Sequence, residues 1–325
     1  MSNILLIVVA ASSVSAQPPD FYRSVDRIVW VVDDVERVTE AWRKVGLARL
    51  DKREEIDLLC QFRGSPAKSK VRLGCGFLGD VRVEWVQPLS GENAYSKFLK
   101  EHGNGIFSLV HRVPDMAALQ RELDRLGSAG ADILQRSERT TPPGVVHDVY
   151  LDTAPQGKYV LGLIQVAADS EPAPPVIAPE KKIVQFAFAV HYLKPVSAFW
   201  EKLGLGPMAL NRGNLSDVRY KGTPIGPELL FGWQRNRKVP YEWLQPASSP
   251  NVFDDHMRAH GEGIHHLALT VDDLDKATAQ WTQLGHAVVQ SGKWGEEGKK
   301  GSGRFAYIDT ESAGGMMIEL LWNHR

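Results

Sequence analysis

Residues 261–273 read Gly-Glu-Gly-Ile-His-His-Leu-Ala-Leu-Thr-Val-Asp-Asp: a glycine-rich helix exit, an alternating strand and an acidic helix start. Because successive strand side chains point to opposite faces, His266 is predicted to share the face of Ala268, where small side chains leave room. His265 is predicted on the face of Leu267. The alternative at this point is a polar strand start with two satisfied histidines, which only the rest of the sequence can resolve.

The overall composition indicates a globular protein of about two domains. The chain has 325 residues, of which 43% are hydrophobic and 24% are charged. Its 38 basic and 39 acidic residues nearly cancel, and no basic run stands out. Neither a nucleic acid nor an anionic membrane surface is therefore expected as a partner, whereas a small-molecule substrate is. Whether the chain forms a homodimer stays open.

The first residues differ from the rest of the chain. Residues 4–11 are a short apolar run, followed by small residues up to Ala16 and then by Gln17-Pro-Pro19. This order resembles a secretory signal (residues 1–16) and predicts a secreted or periplasmic protein. The run is too short for a transmembrane helix. No Lys or Arg precedes it, so an uncleaved extension of a cytoplasmic protein is the alternative.

Cys60 and Cys75 are the only cysteines. Two cysteines make neither a disulfide framework nor a cysteine metal site. In an exported protein they could bridge, and two buried free thiols agree equally well with the sequence.

Four segments repeat one order of predicted elements: a strand, a helix and about three more strands. Two of them fill residues 22–167 and two fill residues 183–325. Residues 168–182 are rich in proline and charge and lack periodicity, which predicts a stiff linker between two domains. The sequence thus predicts an α+β fold of four tandem βαβββ units, two on each side of the linker.

The two halves also match each other at a constant spacing. Val-Glu-Trp-Val-Gln-Pro at 83–88 matches Tyr-Glu-Trp-Leu-Gln-Pro at 241–246, and Gly-Asn-Gly-Ile at 103–106 matches Gly-Glu-Gly-Ile at 261–264. Both pairs lie 158 residues apart. An equal offset between separate motifs indicates an internal duplication.

This organisation resembles the vicinal oxygen chelate superfamily, which includes glyoxalase I, methylmalonyl-CoA epimerase and the extradiol and hydroxyphenylpyruvate dioxygenases. The resemblance rests on the four units, on the segment at 261–268 followed by Val-Asp-Asp, and on Met-Ile-Glu-Leu at 317–320. It covers residues 22–325. It implies two half-barrel modules, in which paired units surround one divalent metal with ligands from the first and last strands of each unit.

For the second half, the resemblance implies a metal-ligand set of Gln185, Glu242, His266 and Glu319. One nitrogen and three oxygens suit Zn, Ni, Mn, Co or Fe. Each residue alone would be an ordinary polar strand residue, but four at the family's positions favour one divalent metal.

The corresponding positions of the first half are Arg27, Glu84, Ser108 and Gly162. Only one carboxylate is left, and Arg27 puts a positive charge where an ion would sit. The first half is therefore predicted to be metal-free, serving as a scaffold or in oligomer contacts.

The resemblance also suggests the chemistry. A metal with open positions can hold two adjacent substrate oxygens and stabilise an enolate while a carboxylate takes the proton. Glu319 and Glu242 are the implied catalytic residues, with Glu319 preferred, in a glyoxalase-like lyase or isomerase. One alternative is an Fe(II) ring-cleaving or 2-oxo acid dioxygenase, although Gln185 replaces one histidine of its usual triad. Another is a non-catalytic small-molecule binding protein.

Six further side chains are candidates for the substrate pocket, although aromatic strand residues usually belong to the core. They are Phe186, Phe188, Trp200, Arg219, Trp243 and Trp322.

Overall fold

The computed structural model describes residues 18–141, 144–166 and 171–324. The predicted signal, residues 1–16, lies outside the described residues. Among the helices of the described ranges, none combines the length and the apolar character needed to cross a bilayer. We call residues 18–166 the first half and residues 183–324 the second half.

The strands of the first half close into an eight-stranded barrel in the order β1-β4-β3-β2-β6-β7-β8-β5. They are β1 (Arg27–Val31), β2 (Ala48–Phe62), β3 (Ser65–Leu78), β4 (Val81–Ser90), β5 (Gly105–Arg112), β6 (Ile133–Thr141), β7 (Gly144–Leu151) and β8 (Val160–Val166). The first strands of the two units, β1 and β5, pair antiparallel, and each pairs parallel with the last strand of its own unit.

The second half forms a ten-stranded sheet in the order β10-β13-β14-β9-β15-β18-β17-β16-β11-β12. Its strands are β9 (Ile183–Ala189), β10 (Ala209–Arg212), β11 (Leu215–Tyr220), β12 (Thr223–Pro224), β13 (Leu229–Gln234), β14 (Tyr241–Pro246), β15 (Gly263–Thr270), β16 (Val288–Trp294), β17 (Gly303–Ile308) and β18 (Met317–Asn323). Short strands β10 to β13 stand where the first half has the long hairpin β2–β3, so this sheet remains an open half-barrel.

The helices are α1 (Val35–Lys44), α2 (Ala94–His102), α3 (Met116–Ser128), α4 (Ala154–Gly157), α5 (Leu193–Lys202), α6 (Val252–His260) and α7 (Leu274–Gln283). The acidic helix start predicted at residues 272–273 is confirmed, because the Asp273 side chain accepts a hydrogen bond from the third amide of α7. Asp34 caps α1 in the same way. The predicted α+β fold of four tandem βαβββ units in two modules is confirmed; the first module closes into a barrel and the second is a half-barrel.

The hydrophobic core runs without interruption from one half into the other. The indole nitrogens of Trp30 and Trp42 donate to the carbonyls of Gly314 and Ala313, both at 2.7 Å. The two copies also meet symmetrically, since His102 Nδ1 lies 2.7 Å from the His260 carbonyl oxygen and His260 Nδ1 lies 2.7 Å from that of His102. These two residues are 158 positions apart, the spacing of the sequence repeat.

The cysteines are free thiols. They lie on one hairpin, but Cys60 is opposite Ala67 and Cys75 is opposite Lys52. At about 3.3 Å per strand residue, this register keeps them too far apart to bridge.

Candidate metal centre

The four predicted ligands come from four adjacent strands of the second sheet, β14, β9, β15 and β18. The register puts Glu242 of β14 opposite Ala187 of β9, and it puts Gln185 and Glu319 on either side of Ala268 of β15. Since alanines occupy the positions between the polar side chains, the sheet leaves room for the longer side chains to meet.

The side chains of Gln185, Glu242, His266 and Glu319 do converge. His266 Nε2 lies 3.2 Å from Glu319 Oε2 and 3.8 Å from Glu242 Oε2. Gln185 Nε2 donates to Glu242 Oε2 at 2.5 Å. His266 is fully buried, and the other three are at most 6% exposed.

The electrostatics of this cluster suit a cation. Burial and the neighbouring Glu319 carboxylate raise the pKa of Glu242 well above its usual value. His266 Nε2 and Glu319 Oε2 are buried and have no hydrogen-bond partner among the described residues. Two carboxylates and one imidazole nitrogen with unused acceptor capacity fit a divalent ion, which would balance the charge and take up those lone pairs.

His265 departs from the predicted alternation. A register shift between Ile264 and His266 interrupts the pairing of β15 with β9. His265 therefore packs against Phe253 and Tyr307, which belong to the inner cluster of the half-barrel, rather than lying with Leu267. The prediction of opposite faces for the two histidines is wrong, because a bulge breaks the two-residue period.

This bulge places His265 Nδ1 2.8 Å from His266 Nδ1. Burial, with the neighbouring His256 and His266, lowers the pKa of His265 well below its usual value, so its ring is neutral. A neutral ring can accept a hydrogen bond at Nδ1. With an ion bound at Nε2, His266 would carry its proton on Nδ1 and donate it to His265 Nδ1.

The ligands open into a cavity of about 490 Å³ inside the half-barrel. Aromatic side chains and two arginines are among the residues that line it: Phe231, Trp233, Phe253, Trp294, Phe305, Tyr307, Arg212 and Arg235. Burial and the nearby Glu319 carboxylate raise the pKa of the Tyr307 hydroxyl well above its usual value. The cavity thus combines apolar walls with a few polar groups, as small-molecule sites do.

The six candidate pocket residues do not line this cavity. Phe186, Phe188, Trp200 and Trp243 are at most 1% exposed and belong to the core outside it. Arg219 lies on the surface and donates to the Gly222 carbonyl. The true wall residues do carry a strand signal, because Phe231 and Trp233 alternate along β13 and Phe305 and Tyr307 along β17.

In the first half, the guanidinium group of Arg27 occupies the place that corresponds to the proposed metal site of the second half. Arg27 Nη1 donates to Glu84 Oε1 at 2.7 Å, and Arg139 Nη2 donates to the same oxygen at 3.1 Å. Burial alone would raise the pKa of Glu84, but Arg139 and Arg27 outweigh it and lower the pKa to about 2. Gly162 stands at the Glu319 position, where a Cβ would lie 2.7 Å from Ser108 Oγ.

Comparisons with known proteins agree with this architecture. Residues 184–307 match the family model described as glyoxalase/bleomycin resistance protein/dioxygenase superfamily. No curated protein matches the sequence significantly.

Three solved structures are similar in fold. A triple mutant of 4-hydroxymandelate synthase from Streptomyces coelicolor has a TM-score of 0.62 and 14% identity, and the match covers 93% of this chain and 92% of that one. The Mn(II)-bound glyoxalase from Novosphingobium aromaticivorans has a TM-score of 0.51 and 11% identity, covering 93% and 83%. A xylose isomerase-like TIM barrel/4-hydroxyphenylpyruvate dioxygenase fusion protein has a TM-score of 0.51 and 14% identity, covering 93% and 49%.

Residues 184–307, most of the second half, match the glyoxalase/bleomycin resistance protein/dioxygenase superfamily, which is the vicinal oxygen chelate superfamily that the sequence resembles, and the fold of the chain is similar to that of such proteins. The predicted family is thereby confirmed. At these identities the similar structures establish the fold, and the activity has to be argued from the site.

Proposed function

We propose that the second half is a divalent-metal-dependent enzyme that transfers a proton within a small, oxygen-chelating substrate, as a glyoxalase-like lyase or isomerase. One observation supports this most directly: His266 Nε2 and Glu319 Oε2 are buried, unpartnered and 3.2 Å apart, with Glu242 beside them. The fold similarity to an Mn(II)-bound glyoxalase supports a divalent ion at this place.

In this proposal Gln185, Glu242, His266 and Glu319 hold the ion, which when bound would supply a Lewis acid for a substrate oxygen. Glu319 is the preferred general base, because its Oε2 accepts no hydrogen bond from the described protein and faces the cavity. It would take a proton from a substrate C–H and return it to a neighbouring atom. Glu242 is the second candidate, although Gln185 already donates to it.

The remaining walls orient the substrate. Aromatic side chains on β13 and β17 exclude water from the reacting atoms, and Arg212 and Arg235 can hold an anionic substrate group. We therefore expect a small molecule with adjacent oxygens.

We further propose that the first half is the metal-free scaffold of this enzyme. Arg27 already neutralises Glu84, and Ser108 and Gly162 replace the histidine and the second carboxylate.

An Fe(II) dioxygenase is the second candidate, since a fusion protein that contains a 4-hydroxyphenylpyruvate dioxygenase shares the fold. The site offers one imidazole and two carboxylates, whereas the facial triad of such enzymes uses two imidazoles and one carboxylate. The single imidazole and the two carboxylates therefore favour the proton-transfer proposal.

The metal proposal is tested by measuring the metal content of purified protein and of His266→Ala. We expect the variant to lose one ion per chain, because it removes the only nitrogen of the set. Ser108→Ala, at the matching position of the first half, serves as the control and should keep the wild-type content. An unchanged metal content in His266→Ala would refute the proposed centre.

The reaction class is tested with a panel of dicarbonyls, 2-hydroxy acids and catechols in deuterated buffer. Deuterium incorporation at a substrate carbon without oxygen consumption, lost in Glu319→Gln, is the expected result. Oxygen consumption in step with product would favour the dioxygenase. Tight binding of a panel member without turnover would favour a binding protein.

A further inference from the structure

A second group of metal-ligating side chains lies outside the site described above, where α6 meets the first half. His256 and His260 are one turn apart on α6, and both face Glu311, which starts the turn 311–313. His260 Nε2 lies 2.8 Å from Glu311 Oε2, and His256 Nδ1 lies 3.6 Å from Glu311 Oε1. One ligand atom from each of the three lies within 4.8 Å of the others.

Two atoms of this cluster are left without partners. His256 Nδ1 and Glu311 Oε1 are both buried and form no hydrogen bond within the described structure. The His256 side chain is 3% exposed, so water does not readily solvate it. Buried polar atoms usually find a partner, and a nitrogen and a carboxylate oxygen that lack one while facing each other indicate a missing cation.

The duplicated half shows that this set is not simply part of the seam between the copies. His102 and His260 make the same reciprocal backbone contact, so that contact accounts for one histidine in each copy. The counterpart of His256, 158 residues earlier, is Phe98. The Thr153 and Thr310 hydroxyls each donate to the carbonyl six residues further along the chain, so these threonines are counterparts. The residues that follow them, Ala154 and Glu311, are then counterparts as well. The extra imidazole and the carboxylate occur in the second copy alone.

We propose that His256, His260 and Glu311 form a second metal site, one that binds Zn²⁺ with a fourth position open to water. Two histidines spaced by four residues on a helix, with a carboxylate from another segment, are a donor set that zinc takes. A single carboxylate beside two imidazoles is a poor site for Ca²⁺ or Mg²⁺, which prefer oxygen ligands. The cluster borders a cavity of about 260 Å³ between the halves, through which an ion can enter.

The position of the site gives the ion a structural effect. The turn that contains Glu311 carries the carbonyls of Ser312, Ala313 and Gly314, which accept hydrogen bonds from Arg37, Trp42 and Trp30 of the first half. An ion that joins α6 to this turn would hold those carbonyls in place and stabilise the contact between the halves.

The experiment uses His266→Ala, which lacks the first centre, so the two proposals can fail separately. Chelator-stripped protein is titrated with Zn²⁺, and the bound metal is measured after gel filtration. We expect one Zn²⁺ per chain in His266→Ala and none in His266→Ala/His260→Ala, with two in wild type. Zn²⁺ should raise the melting temperature of the first variant and leave that of the second unchanged.

Two further variants complete the test. Glu311→Gln in the His266→Ala background keeps the side-chain shape and should weaken Zn²⁺ binding at least tenfold, which covers the case in which His260→Ala does not fold. His286→Ala in the same background alters a partly buried histidine outside the cluster and should leave binding unchanged. Failure of His266→Ala to bind Zn²⁺, or undiminished binding after the His260 or Glu311 change, overturns the proposal.

Discussion

His266 can offer Nε2 to an ion only if its proton sits on Nδ1, and His265 is the group that fixes this. The two Nδ1 atoms are 2.8 Å apart, and the neutral His265 ring would act as the acceptor when an ion binds His266 Nε2. Such partners of metal-bound histidines orient the ring and raise its basicity.

We therefore predict that His265→Phe keeps the fold but weakens metal binding at the first centre by about 10- to 100-fold. Competition with a coloured chelator measures this affinity. His191→Ala, an exposed histidine of the same half, is the control. An affinity within about threefold of wild type would show that His265 is only a packing residue.

Glu84 allows a prediction about pH. Its pKa is lowered from 4.5 to about 2 in the folded protein. A carboxyl group with a lowered folded pKa stabilises the fold above its unfolded pKa, and this contribution is lost as the pH falls toward the folded value. Glu84→Gln leaves Arg27 and Arg139 with an incomplete set of buried partners, so it should cost about 3–5 kcal/mol at neutral pH.

Urea unfolding between pH 3 and pH 7 tests this prediction. The difference in unfolding free energy between wild type and Glu84→Gln should be largest at pH 6–7 and should shrink as the pH falls below about 4.5. A pH-independent difference would mean that the carboxylate charge contributes nothing.

At this scale the family resemblance predicts which four side chains meet, but not the groups that surround such a position. Gln185, Glu242, His266 and Glu319 do converge, and their role as metal ligands stays a prediction. Arg139 and Glu171, which complete the charge cluster around Arg27, come from β6 and from the connection between the halves. Their contacts join residues 55 and 144 positions apart, and a pattern within one strand or helix cannot predict such contacts.

At the scale of elements, the copied helices α2 and α6 begin alike. The Asn93 side chain accepts a hydrogen bond from the Ser96 amide, and the Asn251 side chain accepts one from the Asp254 amide. Both asparagines are fully or almost fully buried and make further contacts. These caps fix the direction in which each helix leaves its sheet.

Asn93→Ala and Asn251→Ala should each lower the free energy of unfolding by about 1–2 kcal/mol, because an uncapped amide is left at the helix start. Denaturant unfolding monitored by circular dichroism measures this loss. Asn211→Ala, on an exposed strand, is the control and should change stability by less than about 0.5 kcal/mol. Equal effects of all three changes would rule out capping as the cause.

The bulge in β15 illustrates what periodicity misses. Alternation assigned His265 and His266 to opposite faces, but the register with β9 shifts between Ile264 and His266. A bulge depends on the partner strand, so a pattern within one strand cannot reveal it. The helices α1 and α7, in contrast, were predictable, because an acidic residue caps each of them.

For the whole molecule, one continuous core joins the two halves, so they are not two independent domains connected only by a linker. The duplication follows from the 158-residue offset. The shared core does not, because the sequence marks Trp42 as a buried residue without showing which half packs against it. The closure of the first sheet into a full barrel depends on the long hairpin β2–β3 and was likewise not predicted.

We predict that the protein unfolds in one cooperative transition and that Trp42→Phe destabilises it as a whole. The change removes the indole donor and leaves the buried Ala313 carbonyl unpaired, at a cost of about 1–3 kcal/mol. Calorimetry should show a single peak that moves to lower temperature. Trp200→Phe, which removes a donor to Gly157, is the matched change in the other half. Two resolved peaks, with only one of them shifted, would mean that the halves unfold separately.

If the two halves were separate chains, the reciprocal contact of His102 with His260 would form only at protein concentrations high enough for the chains to associate. Here one connection joins the copies, so each meets the other at an effective concentration on the order of millimolar. The seam between them needs little affinity of its own. The two copies can therefore differ in sequence and still stay associated. The first copy has Arg27 and Arg139 around Glu84, and the second has His256 and Glu311 at the contact between the halves.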